Sequence, residues 1–145
     1  CAMYRKYLFD YMKEEYGMEV KDTDNLAYNC GRLLAVADAI ESWALKENSD
    51  GVSIRPTNAM RYFTRFSISP CITWGVINDK LNPYKQRLGA KGGRLYKLLG
   101  EISSLIDPEE FKKATNLDGC MILGFDTQRQ ALFNTTKKEE VKEEL

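Results

Sequence analysis

LAYNCGRLLAVADAIESWAL, residues 26–45, is the stretch whose reading decides the fold. Its apolar residues Leu26, Cys30, Leu33, Leu34, Ala37, Ile40, Ala44 and Leu45 keep the i, i+3, i+4, i+7 spacing of a helix with a buried face. Asp24 or Asn25 can cap its start, because a short side-chain oxygen accepts from the unpaired N–H groups of a first turn. Asn48-Ser49-Asp50-Gly51 is a breaker cluster that ends it. A main helix over 26–47 is therefore expected.

The same period recurs on both sides. Upstream, Tyr4, Tyr7, Leu8, Tyr11 and Met12 share a face of an N-terminal helix over 1–17 that stops at Gly17. Downstream, Pro56 opens a short helix through Phe66, with Ala59, Tyr62, Phe63 and Phe66 on its apolar side. Ser69-Pro70 reads as N-cap and first helical residue of another helix, whose core face is Ile72, Thr73, Val76, Ile77 and Leu81. Pro83 should kink or break it, since an interior proline costs about 3 kcal/mol. Gly89 to Gly93 reads as a loop, and helix resumes from Arg94 to Ile106 with Leu95, Leu98, Leu99, Ile102 and Leu105 inward. Asp107-Pro108 caps a short turn.

A second main helix is expected over 116–133, with Leu117, Met121, Phe125 and Leu132 among its buried residues. Residues 134–145, rich in Lys and Glu, read as a charged, frayed or disordered tail. Strand signals are confined to Met18–Val20 and Val52–Ile54, each too short for a sheet. The expected fold is all-α: a compact bundle of about five to six helices with little or no sheet, in a single domain over 1–133.

Composition narrows the function. With 145 residues, 43% hydrophobic and 29% charged, the chain has the profile of a soluble domain with a real core. No apolar run approaches the roughly 18–20 residues of a membrane span and no signal-peptide core opens the chain, so a cytoplasmic protein without membrane contact is expected. The four cysteines form no C-x-x-C pair and there is no histidine, which argues for reduced, mostly buried thiols and against a zinc site. Without histidine, Ser-His and Cys-His chemistry is excluded. The pairs Glu14-Glu15, Glu109-Glu110 and Glu143-Glu144 sit in charge runs, and Gly89-x-x-Gly92-Gly93 lacks the Lys-Ser/Thr ending of a phosphate-binding loop. No catalytic residue, metal or cofactor is expected, and the chain does not read as an enzyme.

A net charge of zero conceals a basic middle. Residues 1–50 hold six Lys/Arg against ten Asp/Glu, residues 51–100 nine against the single Asp79, and residues 101–145 six against ten. Any one lysine can be a solubilising surface group. Nine cations beside one acid, however, are not the mixed-sign surface that solubility needs, and they attract a polyanion. The candidate nucleic-acid-binding residues are Arg61, Arg65, Lys85, Arg87, Lys91 and Arg94, followed by Arg55, Lys80 and Lys97. Of the interleaved aromatics Tyr62, Phe63, Phe66, Trp74, Tyr84 and Tyr96, most fit core positions; Trp74 and Tyr84 remain candidates for stacking on bases.

Three segments together resemble the large subunit of type I-C CRISPR effector (Cascade) complexes near its C-terminus. Tyr28-Asn29-Cys30-Gly31-Arg32-Leu33-Leu34-Ala35-Val36 is similar to a Y-x-x-G-R-L-x-A-V segment of that family. Asn58-Ala59-Met60-Arg61-Tyr62-Phe63 followed by Ser67-Ile68-Ser69-Pro70 resembles its Arg-Tyr-Phe stretch before a proline-initiated helix. Leu123-Gly124-Phe125, Gln128-Arg129-Gln130 and Phe133 resemble its closing helix, with Thr127 where the family commonly has histidine.

The resemblance implies a C-terminal helical bundle without the N-terminal region that recognises the protospacer-adjacent motif. In type I-C systems that bundle is also made as a separate small subunit by internal translation, and Met3 is a candidate start. It also implies a non-catalytic role stabilising the R-loop, with guide RNA, target DNA, backbone subunits, the large subunit and further copies of itself as partners. Arg32, Gln128 and Arg129 match family motifs inside apolar helices, and are expected to be structural or inter-subunit residues. The rival reading is a helical assembly module whose basic surface meets acidic neighbours rather than DNA. A stand-alone helix-turn-helix regulator is disfavoured, because no helix with base-reading side chains stands out.

Overall fold

A computed structural model describes the backbone of residues 20, 23–48 and 56–144, and the side chains of 20, 23–46 and 56–133. The expected N-terminal helix over 1–17, the strand signal Val52–Ile54 and Arg55 lie outside the described residues, as does Met18–Val20 apart from Val20. In chain order the elements are α1 (Leu26–Asn48), α2 (Asn58–Arg61), α3 (Phe63–Ile68), α4 (Pro70–Leu88), a 3₁₀ turn (Gly89–Gly92), α5 (Gly93–Ser104), α6 (Pro108–Lys113) and α7 (Cys120–Glu144). No strand occurs among the described residues, and the fold is an all-α bundle.

Helix α1 is the axis of the bundle, with α7, α4 and α5 packed around it. Asn25 is its cap: the Tyr28 N–H donates to Asn25 Oδ1 at 2.9 Å. Every residue from Ala27 to Ala37 is buried, beyond the single apolar face read from the period. A helix buried all round must be sheathed by neighbours on every side. Two glycines make the tightest of these contacts possible. A Cβ at Gly31 would overlap the carbonyl oxygen of Met121 and lie 2.8 Å from the Phe125 nitrogen, while one at Gly124 would overlap the Tyr28 carbonyl oxygen. The backbones of α1 and α7 therefore cross in contact, and only glycine fits at either position.

The N-terminus of α2 is tied to α1 by two acids. Thr57 Oγ1 donates to Asp38 Oδ1 at 2.6 Å, while the Asn58 backbone N–H and Nδ2 both donate to Glu41 Oε1, at 3.0 and 2.7 Å. Carboxylates here satisfy donors that a helix start leaves unpaired. Thr57, rather than Pro56, opens the helix; its hydroxyl accepts from the Met60 N–H at 3.3 Å. Phe63 of α3 meets Phe125 of α7 edge to face, centroids 5.3 Å apart.

Four expectations need correction. Ile72 and Val76 do not face the core: Thr73, Ile77 and Leu81 do, with Pro70 and Leu88, and Ile72 is 77% exposed. The five positions proposed for that face span too wide an arc for one buried stripe, and the outer row went to solvent. Pro83 does not end α4, which runs through it to Leu88. Asp79, whose carbonyl loses its partner, and Pro83 itself are both exposed, so water can take the bond. Gly89–Gly92 is a 3₁₀ turn rather than a loop, entered through Gly89 at φ +55°. Helix α7 starts at Cys120, not residue 116. Asn116 sits at φ +52°, the Asn116 and Leu117 N–H groups close the end of α3 on Ile68 and Ser67 carbonyls, and Asp118 Oδ1 accepts from the Cys120 N–H at 2.9 Å. The backbone of α7 then stays helical to Glu144, through the stretch read as a tail; Lys and Glu are strong helix formers and no Gly or Pro interrupts them.

Candidate nucleic-acid interface

Long cations need anchored helices to form a surface rather than a cloud of charge. Arg61 and Arg65 are exposed on α2 and α3, at the N-terminal end of α4. That end is fixed by the Thr57–Asn58 tether and by Thr73 Oγ1, which donates to the Arg65 carbonyl at 3.3 Å. The second group gathers at the other end of α4. Lys85 and Arg87 lie in its last turn, Lys91 in the 3₁₀ turn, and Arg94 and Lys97 in the first turns of α5. All are exposed except Lys85, which is half-buried. Tyr96 locks this elbow: its hydroxyl donates to the Lys85 carbonyl at 2.9 Å, and its burial raises the phenol above its ordinary pKa.

With 19 residues at 1.5 Å each, α4 is about 28 Å long, and the two groups lie about its opposite ends. Lys80 is exposed between them, on the same solvent row as Arg87. The row starts apolar at Ile72 and Val76 and turns basic at Lys80 and Arg87. Part of this charge also serves the fold. Cations in the last turn of α4 complement the helix dipole, and the Arg87 guanidinium stands 5.8 Å from the Tyr84 ring centre. Trp74 and Tyr84 are half-buried against the core, Trp74 edge-on to Phe66 at 6.3 Å.

Arg32 and Gln128 are buried together at the α1–α7 crossing, where Arg32 Nε donates to Gln128 Oε1 at 3.0 Å. Arg129, next in the chain, is exposed. Residue Trp43 went unread in the sequence. It is half-buried on α1 and forms one wall of a groove of about 270 Å³ with Arg94, Lys97 and Glu101 of α5 and Gln128 and Leu132 of α7. At i+3 from Ile40 and beside Ala44 it looks like one more core residue, so only its position between two cations and a buried carboxamide marks it. Among the described residues no group of three metal-ligating side chains comes together, and no helix is long and apolar enough to cross a membrane. A family model described as CRISPR-associated protein (Cas_Csd1) matches residues 1–133. No curated protein and no solved structure matches the chain.

Proposed function

We propose that this chain, which belongs to the Csd1 family of CRISPR-associated proteins, is a non-catalytic nucleic-acid-binding subunit or domain of a type I-C effector complex. It acts on the R-loop by holding the backbone of the displaced strand or of the heteroduplex. One observation carries the reading: of the eight middle-segment cations among the described residues, all at least partly in solvent, seven gather about the two ends of α4 and Lys80 lies between them. Cations spread along a helix about 28 Å long suit a phosphate chain better than a compact anion. R-loop formation is nearly balanced in free energy, so backbone contacts made by such a surface tip it toward the open state. Guide RNA, target DNA and the other subunits of the complex are the partners this role requires.

Fluorescence anisotropy with labelled single- and double-stranded DNA tests the reading on wild type and an Arg61→Glu/Arg65→Glu/Arg87→Glu/Arg94→Glu variant. The expected result is binding by wild type that drops at least tenfold in the folded variant. Equal affinity of the two proteins would contradict it.

The exposed apolar residues favour a second reading. Ile68, Ile72 and Val76 on α3 and α4, and Phe133 on α7, leave apolar surface uncovered. A helical assembly module contacting neighbouring subunits would use it. Self-association or subunit docking that survives charge reversal but fails in Ile72→Glu, without any DNA binding, would decide for that reading.

A further inference from the structure

We propose that the groove between α1, α5 and α7 seats one unpaired base of a single-stranded polynucleotide, with Trp43 as its stacking platform. The inference rests on the nucleic-acid reading above and adds to it a site that recognises a base rather than phosphate alone. Its volume of about 270 Å³ lies just below the roughly 300–1,000 Å³ of sites for drug-sized ligands, and suits a flat ring with its sugar.

The wall chemistry is that of a nucleotide. Trp43, half-buried, lines the groove together with Leu98 and Leu132, which makes its wall largely apolar. Indole rings take any base by stacking, whatever the sequence. Gln128, 3% exposed and part of the groove lining, has its Oε1 engaged by Arg32 Nε, which fixes the carboxamide, so its N–H₂ is the group we assign as donor to a bound base. A ring nitrogen or carbonyl on a base edge is the matching acceptor, and the Glu101 carboxylate at the rim matches an exocyclic amine. Arg94 and Lys97, one turn apart on α5, stand where the attached phosphates would lie, and they continue the cluster at the C-terminal end of α4. Lys97 at the rim, and the basic cluster that continues from the C-terminal end of α4, favour a polyanion over a neutral helix inserted as a peptide.

The chain has two tryptophans, so Trp74→Phe leaves Trp43 as the only indole reporter. This variant is titrated with oligothymidine and with an abasic oligomer of equal length, following indole fluorescence and the anisotropy of a label on the oligomer. The expected result is quenching of Trp43 by oligothymidine with the same midpoint as the anisotropy change. The abasic oligomer should bind about tenfold or more weakly without quenching, and Lys97→Glu should shift both midpoints upward. Binding of both oligomers alike, without quenching, would overturn the base seat and leave the phosphate surface standing. Binding of neither would remove both. Quenching that follows protein concentration without any oligomer would hand the groove to a second copy of the chain and likewise overturn the proposal.

Discussion

Gly31 and Gly124 are each the single atom-sized gap through which two helices touch. Adding one methyl at either forces the backbones of α1 and α7 apart, because the atom it meets is a carbonyl oxygen that cannot swing away. Overpacking of this kind costs about 1–3 kcal/mol. We expect Gly31→Ala or Gly124→Ala to lower the melting temperature by roughly 3–10 °C, read by circular dichroism. Gln128→Ala is expected to destabilise by about 1.5–3 kcal/mol in urea unfolding, since it removes an acceptor from a buried guanidinium. Cys30 makes a pH prediction. Burial pushes its thiol from 9.0 up to about 12, so above pH 9 the unfolded thiol ionises while the folded one stays neutral. Stability from this group is complete below pH 9 and falls as pH rises toward 12, by about 1.4 kcal/mol at pH 10. The difference in unfolding free energy between pH 8 and pH 10 should shrink by that amount in Cys30→Ala.

At the scale of elements, α4 tests how proline and apolar pattern are read. Pro83 removes one hydrogen bond on the wet side of a helix that continues regardless. Pro83→Ala should therefore raise stability by about 1–3 kcal/mol in urea unfolding, and no change would mean that α4 is bent there to its own advantage. The helices themselves are legible because the 3.6 period survives single exceptions: apart from Leu45 and Leu105, the apolar residues expected inward on α1 and α5 are buried or packed against the core. What escaped was which neighbour covers which face. Tyr28 and Asn29 fall off the expected apolar face yet are buried, and Arg32, expected to be structural or inter-subunit, is buried against Gln128 of α7. Ile72 and Val76 look like core until Thr73, Ile77 and Leu81 take the inward row. Likewise the cations of the candidate site were readable from composition, whereas Trp43 gained meaning only when α5 and α7 closed around it.

For the whole molecule, a central helix buried all round from Ala27 to Ala37 gives a body on which α4 and the elbow into α5 display charge. That is the arrangement a backbone-holding protein needs, since ordered cations lose little freedom when a strand arrives. The account's central claim is that this charge meets phosphates, and the salt dependence of single-stranded DNA binding tests it most directly. If about four to six phosphates are neutralised, a plot of log affinity against log salt should fall with a slope of about −3 to −4, and the charge-reversal variant should lose most of it. A slope near zero, or binding indifferent to the variant, would contradict the claim and leave the basic surface to protein neighbours.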